Sequence, residues 1–456
     1  MATESGAFKR FFETRRTLET YPTGGYRWWL LILAVMATMV SFYEFGFPAL
    51  LPLWLPTLHF SQEQFGYFLT FAVIVSAVSA MIGGPLADRH GRVVVVDVCL
   101  AIIIVLTFCN LLMTNFVSFV IVRGLMNAVA GLMWGALGGL TRDFSPRLSR
   151  GAAFGLLTAG AVLCQLLWNQ IPALTLPIFH TWQSQIWIMG FLAIALYIPV
   201  LLWLKDLSPK LRSMVIGSEE VGEAFESGDI PAAEASGAEN AFSQLLGQWQ
   251  AWVLVVGVVA FLGGAITIQN FGPLMFVQQY GYSPGEAARM TALFWWLNLI
   301  MLVPSGWLSD YLQMRKALSV GLGLVTLAVM LYWVLNFSAP MSPARLGTIA
   351  FVLGGVGAFA FIPWCAMYSE FLEDLSPALQ ATGWSFFQFM YRLFIAISGP
   401  IIVAVAHRYG WGTWMWEPVV GTALFIVSLL MIPGHWRPVT AVTPAAQPAP
   451  QPAGGR

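Results

Sequence analysis

The sequence contains little charge. Asp, Glu, Lys and Arg make up only 10% of its 456 residues, whereas they make up about 25% of soluble domains. The formal net charge is zero, so no bulk charge attracts nucleic acid. Apolar residues account for 58% of the chain, more than a soluble fold of this length can bury. The composition therefore predicts a protein whose solvent is the lipid bilayer.

Cysteine and catalytic motifs are also scarce. Each cysteine lies in an apolar run, and the spacing matches neither a metal site nor a disulfide framework, so we interpret all four as packing residues. They are Cys99, Cys109, Cys164 and Cys365. The His-Glu-x-x-His, nucleophile-elbow and phosphate-loop motifs are absent. The sequence therefore predicts no enzyme, no metal and no cofactor.

Long apolar runs are what the sequence has in abundance. A helix that spans a bilayer needs about 20 mostly apolar residues, and twelve runs meet this criterion. They cover 27–52, 64–86, 93–113, 117–140, 151–177, 185–204, 250–276, 284–308, 317–337, 346–369, 377–406 and 411–433. We predict an all-α integral membrane protein with twelve transmembrane helices.

An acidic stretch divides these runs into two groups of six. Seven carboxylates lie between Glu219 and Glu239, a composition typical of a linker without a core of its own. The predicted organisation is a cytoplasmic segment at 1–26, a bundle at 27–204, an acidic cytoplasmic linker at 205–248, a second bundle at 249–434 and a disordered cytoplasmic tail at 435–456. The tail is rich in Ala, Pro and Gln.

Basic residues predict the orientation, because Lys and Arg accumulate in cytoplasmic loops. Seventeen of them fall on the side of the N-terminus, and only Arg289, Arg345 and Arg408 fall on the other side. We therefore expect both termini in the cytoplasm and the spans in the cell (inner) membrane.

Three short matches relate the two groups of runs. The sequences are EFGFP at 44–48 and NFGP at 270–273, GPLAD at 84–88 and GWLSD at 306–310, and DFSPRL at 143–148 and DLSPAL at 374–379. Their offsets are 226, 222 and 231 residues, in the same order along the chain. The chain is therefore predicted to be two similar six-helix halves, a design that lets one half rock against the other around a central cavity.

The loop after the second run reads GPLADRHGR at 84–92. It resembles the loop signature of the major facilitator superfamily, and a degenerate second copy follows the eighth run. The resemblance implies two pseudo-symmetric six-helix bundles that work by alternating access. It also implies a conformational latch formed by Gly84, Asp88, Arg89, Gly91, Arg92, Gly306, Asp310 and Arg315.

Within that family, the chain is similar to proton symporters of organic acids, including aromatic acids and sugar acids. This resemblance implies a monomeric secondary transporter that carries a small organic anion with protons across the bilayer. The fifth run lacks the Gly-Pro-x-x-x-Gly-Gly motif of drug/proton antiporters, which argues against drug efflux. An anion exchanger or an exporter of the same fold remains an alternative, and a membrane sensor that does not transport is a more remote one.

Three ionisable residues fall at membrane depth, namely Glu44, Arg123 and Arg392. Each costs roughly 2.5–3.5 kcal/mol to insert, so each is a candidate functional residue. Glu44 and Arg123 fall at similar depths and are predicted to pair. A proton or an anionic substrate could compete for this pair, which makes both residues candidates for proton coupling. A static ion pair is the alternative.

Arg392 lies near the middle of the eleventh run, where a guanidinium can bind a carboxylate with two hydrogen bonds. Two arginines against one glutamate leave a positive excess, which favours an anionic solute. Alternatively, Arg392 binds a backbone carbonyl or a carboxylate of the loop motif. Amides and aromatic residues at similar depths complete the predicted substrate site, although each could instead bond neighbouring helices. The full set is Tyr43, Arg123, Asn127, Trp134, Gln165, Asn169, Gln269, Asn270, Asn298, Trp364, Tyr391 and Arg392.

Prolines mark candidate hinges. Pro48 and Pro52 in the first run and Pro273 in the seventh are predicted to interrupt their helices at matching depths, because proline removes a backbone donor.

Overall fold

The fold is almost entirely helical. The computed structural model describes residues 17–22, 24–144, 150–208, 245–312, 314–375, 380–433 and 436. In these residues, twelve helical segments are long and apolar enough to cross a bilayer. This agrees with the prediction of a multi-pass, twelve-span membrane protein. Most of the linker and the tail predicted at 205–248 and 435–456 lie outside the described residues, as do residues 1–16.

The first six spans form the N-terminal half. The first span is discontinuous: it comprises the helix Gly24–Ser41, two 3-10 turns at Phe42–Phe45 and Pro48–Leu50, and the helix Leu51–Thr57. The second to sixth spans are Gln62–His90, Arg92–Cys109, Phe116–Asp143, Arg150–Phe179 and Trp182–Trp203.

The C-terminal half repeats this order. The seventh to eleventh spans are Trp249–Tyr280, Pro284–Leu312, Arg315–Leu335, Pro343–Leu375 and Gln380–Tyr409, and the twelfth comprises Trp411–Trp414 and Trp416–Met431. The predicted break at Pro273 is wrong, because this residue lies inside a continuous helix. The predicted break near Pro48 is present.

The helical bundle has two ends, called the near face and the far face below. The near face is the end at which the first span begins, at Gly24, and the far face is the end at which it finishes, at Thr57. On the near face, two-residue strands at Thr17–Leu18 and Asp206–Leu207 pair in parallel. The Asp206 carboxylate also accepts a hydrogen bond of 2.8 Å from the backbone N–H of Arg92. The start of the third span is thereby joined to the end of the sixth.

In the C-terminal half, a lysine rather than a carboxylate joins two spans at the near face. Lys316, at the start of the ninth span, donates from Nζ to the carbonyl of Ile432 at 2.6 Å. Its ammonium also lies 4.8 Å from the ring centroid of Trp436. Asp206 and Ile432 are 226 residues apart, which matches the offset of the sequence repeat.

Small residues let the spans within each half approach closely. The backbone at Gly131 in the fourth span lies against Ser76 in the second, and Gly354 in the tenth lies against Phe294 in the eighth. A side chain at either glycine would overlap the facing backbone. Close backbone contact of this kind is how membrane helices gain packing energy without a hydrophobic driving force.

The two halves meet between mid-depth and the far face. Thr70 donates to the Ala396 carbonyl at 2.5 Å, and the rings of Phe65 and Phe271 lie 5.4 Å apart. Trp296 donates from Nε1 to Gln170 at 3.0 Å. These contacts join the second span to the seventh and eleventh, and the fifth to the eighth.

Candidate functional site

A cavity lies at mid-depth between the halves. It has about 370 Å³ of empty space, its open mouth included. The first, second, fourth, seventh and eleventh spans surround it. Its lining residues are Phe42, Phe45, Val73, Trp134, Gln269, Gln388, Tyr391, Arg392 and Ile395.

Arg392 provides the positive charge of this cavity. Its guanidinium carbon lies 4.6 Å from the ring centroid of Trp134, and its Nη1 donates to Ser76 Oγ at 2.9 Å. Both partners belong to the N-terminal half, so Arg392 bridges the two halves. A guanidinium has five N–H donors, and Ser76 uses one of them. The remaining donors can serve an anion in the cavity.

Aromatic rings form much of the cavity wall. The ring centroids of Phe42 and Trp134 lie 4.9 Å apart, and those of Phe42 and Phe45 lie 5.9 Å apart. Tyr391 lines the cavity one residue before Arg392. A planar ligand can therefore place its ring among aromatic side chains and its polar groups on Arg392 and Gln269.

Glu44 lies in the 3-10 turn between Phe42 and Phe45 and is 1% exposed. Neither carboxylate oxygen accepts a hydrogen bond from the described residues. Phe42 and Phe45, which begin and end this turn, line the same cavity as Arg392. The Glu44 carboxyl is therefore buried directly behind the cavity wall that faces the arginine of the other half.

The predicted ion pair between Glu44 and Arg123 has a different form in the structure. Arg123 is 1% exposed and donates from Nη2 to the backbone carbonyls of Glu44 and Tyr43, the latter at 3.3 Å. No ion pair joins its guanidinium to the Glu44 carboxylate among the described residues. The prediction identified the right neighbours but the wrong atoms, because depth along a helix says nothing about where its backbone is broken.

Most predicted amides bind backbone rather than line the cavity. Asn127 donates to the Arg123 carbonyl, Asn169 to Gln165 and Asn270 to Ile266, each within its own helix. Asn298 donates to the Gly354 carbonyl at 3.2 Å and so joins the eighth span to the tenth. Gln165 donates to the Phe45 carbonyl at 3.4 Å. Of the predicted amides, only Gln269 lines the cavity.

Two predicted aromatic residues also lie elsewhere. The Tyr43 hydroxyl donates to the Met189 carbonyl in the sixth span, and its ring packs edge-on against Trp168. Trp364 stacks on Tyr368 at 5.1 Å in a separate core of the C-terminal half. The structure thus brings Trp134, Gln269, Tyr391 and Arg392 together from the predicted set, with Glu44 and Arg123 behind the aromatic wall.

The predicted latch is described only in part. The structure describes the backbone at four latch positions but not their surroundings. These are Gly84, Asp88, Arg89 and Asp310. Gly91 has a φ of +93° and separates the second and third spans, a conformation suited to glycine. In the second copy, Arg315 binds Glu370 at 3.0 Å and Ser309 at 2.9 Å, while Gly306 faces Ile362.

Sequence reasoning missed several residues of this region. Phe42, Phe45, Val73 and Ile395 line the cavity, but apolar residues carry no signal that separates them from lipid-facing ones. Glu417 is an intramembrane carboxylate that lies against Gly263. Its position near the start of the twelfth span could have drawn attention to it.

The fold and the cavity define a class: twelve spans in two related halves around a central cavity, as in secondary transporters. The family model of the Major Facilitator Superfamily matches residues 30–400. The chain therefore belongs to the Major Facilitator Superfamily, and it is a transporter rather than an enzyme.

Known proteins resemble this chain over most of its length. It is 22% identical over 442 residues to the gallate transporter of Pseudomonas putida, a match that covers 92% of this chain and 94% of that protein. It is 23% identical over 322 residues to a 4-hydroxybenzoate transporter of Pseudomonas aeruginosa, covering 66% and 70% of the two chains. The crystal structure of a D-xylose-proton symporter superposes with a TM-score of 0.67 at 15% identity, over 90% of this chain and 99% of that chain.

Proposed function

We propose that this protein carries a small aromatic carboxylate across the cell membrane together with protons, by alternating access. The observation that carries the proposal is Arg392, which faces a mid-depth cavity and, within the described part of the chain, contacts Ser76 and the Trp134 ring. An intramembrane cation persists where it is used. Gallate and 4-hydroxybenzoate, which the relatives named above transport, are aromatic carboxylates.

The lining residues suit each part of such a ligand. Its carboxylate would accept two hydrogen bonds from the free edge of the Arg392 guanidinium, the geometry in which arginine recognises carboxylates best. Its ring would lie against Phe42, Phe45 and Trp134. Ring hydroxyls would meet the amides of Gln269 and Gln388.

Proton coupling follows from competition for one charge. Glu44 lies in the turn whose end residues, Phe42 and Phe45, line the cavity together with Arg392. A substrate carboxylate bound to Arg392 would place a second anion near the Glu44 carboxylate, and two carboxylates that share a site of low dielectric do not both stay ionised. Glu44 would therefore take up a proton when substrate binds, while Arg123 supplies a second, fixed positive charge.

Alternating access is supported by where the halves touch. The contacts of Thr70, Phe65 and Trp296 all lie from mid-depth to the far face. We propose that the near face, which bears most of the Lys and Arg residues, is cytoplasmic. The structure would then represent a state closed to the outside, and the segment 84–92 would act as the latch of the opposite state.

Uptake into proteoliposomes tests this function. The purified protein should accumulate labelled 4-hydroxybenzoate when the outside is acidic, and unlabelled benzoates should compete while D-xylose does not. Uptake of a neutral sugar without uptake of acids would contradict the anion assignment. Acid uptake that is indifferent to the pH gradient would contradict proton coupling alone.

The variant Glu44→Gln separates the two parts. It should still bind 4-hydroxybenzoate but should lose accumulation driven by the pH gradient, while exchange of substrate between the two sides continues. If gradient-driven accumulation is unchanged in this variant, Glu44 is not the coupling residue.

A further inference from the structure

We infer that Arg123 is a positioning residue which replaces the backbone donor that Pro48 removes, and so holds the break in the first span that forms one wall of the cavity. In a continuous helix, residue 48 would donate its N–H to the carbonyl of residue 44. Proline has no N–H, so the Glu44 carbonyl loses its partner at a depth where the residue is 1% exposed.

The side chain of Arg123 supplies the missing donor. Its Nη2 donates to the Glu44 carbonyl and also to the carbonyl of Tyr43 at 3.3 Å. Its guanidinium carbon lies 4.5 Å from the ring centroid of Phe47, inside the irregular stretch between the two 3-10 turns. One side chain of the fourth span thus contacts both sides of the break.

The fifth span completes the same arrangement. Gln165 donates to the carbonyl of Phe45 at 3.4 Å, so three consecutive carbonyls are bound by side chains of other spans. Gly46 packs directly against the indole of Trp168, where a larger residue would overlap the ring. The turn is therefore held from two neighbouring spans.

This turn carries the cavity wall. Phe42 and Phe45 are its first and last residues, and both line the cavity, whereas Arg123 does not. Arg123 therefore acts on ligand binding through the turn. Its guanidinium binds the carbonyls of Tyr43 and Glu44, while the Glu44 carboxylate oxygens accept no hydrogen bond from the described residues. Hydrogen bonding to the backbone is therefore its main task.

A double-mutant cycle between Pro48 and Arg123 tests this inference. Arg123→Met should lower the Tm of the purified protein and raise the KM for 4-hydroxybenzoate roughly tenfold, the effect of about 1.4 kcal/mol of lost hydrogen bonding. Pro48→Ala restores an N–H that can reach the Glu44 carbonyl. In the Pro48→Ala background, Arg123→Met should therefore cost less than half as much in both measurements.

Two control backgrounds make the cycle specific. Pro52→Ala restores a donor toward the Pro48 carbonyl, which already accepts a hydrogen bond from the N–H of Leu51, so it should not relieve the loss caused by Arg123→Met. Glu44→Gln removes the carboxylate but keeps the backbone carbonyl, so it should not relieve the loss either. Relief by Glu44→Gln, with additive effects in the Pro48→Ala background, would overturn the inference and assign Arg123 to charge pairing.

The two measurements separate this inference from the proposed function. It depends on that function only through the uptake readout, because the Tm cycle needs no substrate. Coupling in Tm without any transport of aromatic acids would leave the inference standing and contradict the function.

If Arg123→Met is not produced in folded form, Arg123→Lys replaces it. A single ammonium cannot bind both carbonyls with the same geometry, so partial loss and partial relief by Pro48→Ala are expected, and additive losses would overturn the inference.

Discussion

The first and seventh spans occupy equivalent places in the two halves, yet one is broken and the other is continuous. Both carry a Phe-Gly pair followed by proline, at 45–48 and 271–273. The first span has prolines at 48 and 52. Arg123 binds the Glu44 carbonyl, which lacks a donor because of Pro48, and Gln165 binds the next carbonyl, that of Phe45. The seventh span has only Pro273, and its helix continues from Trp249 to Tyr280.

The difference extends to the spans that face them. The fourth span brings Arg123 to the break, whereas the tenth has no Lys or Arg after Arg345. A proline opens a membrane helix where neighbouring side chains satisfy the freed backbone groups. The comparison therefore indicates that the N-terminal half provides the broken span with its aromatic wall, while the C-terminal half provides a straight helix and the cavity arginine, Arg392.

The largest expected effect concerns that charge. Arg392→Gln should reduce uptake of 4-hydroxybenzoate about 100-fold or more, since hydrogen bonds to charged groups are worth roughly 1.5–3 kcal/mol each. Initial uptake rates in proteoliposomes measure this. Arg392→Lys keeps the charge but not the paired donors, so it should retain intermediate activity. Wild-type rates in Arg392→Gln would show that the charge asymmetry between the halves is irrelevant to transport.

Two neighbouring residues of the seventh span test which face of this helix contributes to the cavity. Gln269 lines the cavity, whereas Asn270 donates to Ile266 within its own helix. Gln269→Leu should raise the KM for hydroxylated benzoates about tenfold, the loss of one good hydrogen bond, and should affect benzoate itself less. Asn270→Leu serves as the matched control and should leave both KM values close to wild type. Equal effects of the two variants would contradict the assignment of Gln269, but not Asn270, to the cavity face of the seventh span.

Replacing the proline of the continuous helix should have a smaller effect. Pro273→Ala should keep uptake within about twofold of wild type and raise the Tm slightly, because alanine adds a donor without a change of path. Thermal unfolding in detergent together with uptake measures both. A marked loss of transport in Pro273→Ala would show that the proline of the seventh span is needed for transport although it does not break the helix.

Glu417 should have the smallest effect on transport. Its carboxylate lies against Gly263 in the seventh span, and its Oε2 accepts no hydrogen bond from the described residues. Glu417→Gln keeps the shape and removes a charge that is costly to bury. Uptake and its pH dependence should stay unchanged, and the Tm should stay equal or rise. A shifted pH profile of uptake would make Glu417 a second coupling residue in the C-terminal half.

The twelve spans were predictable because each is a property of one stretch of chain. A run of about 20 apolar residues has few alternatives to crossing the bilayer. The same reasoning placed Glu44, Arg123 and Arg392 at membrane depth. It could not assign their partners: Arg123 binds two carbonyls of a break, and Arg392 reaches Ser76 and Trp134 in the other half.

The residues that line the cavity could not be predicted from the sequence for the same reason. Gln269 and Asn270 are adjacent amides of equal polarity, yet only the first lines it. Phe42 and Phe45 line it without any polar signal, while Tyr43 between them points to the sixth span. Neighbouring positions of a helix face different partners, and periodicity is weak when nearly every residue is apolar, so the face of each span could not be read from the chain.

The sequence by itself determined the class of protein, the number of spans and their division into two similar halves. Composition, run length, the repeat and the loop signature at 84–92 were sufficient, since lipid imposes length and polarity on each segment separately. The tertiary structure decided which prolines break a helix and which charges meet. A freed carbonyl or a buried guanidinium is stabilised only by groups that packing brings to it from distant parts of the chain.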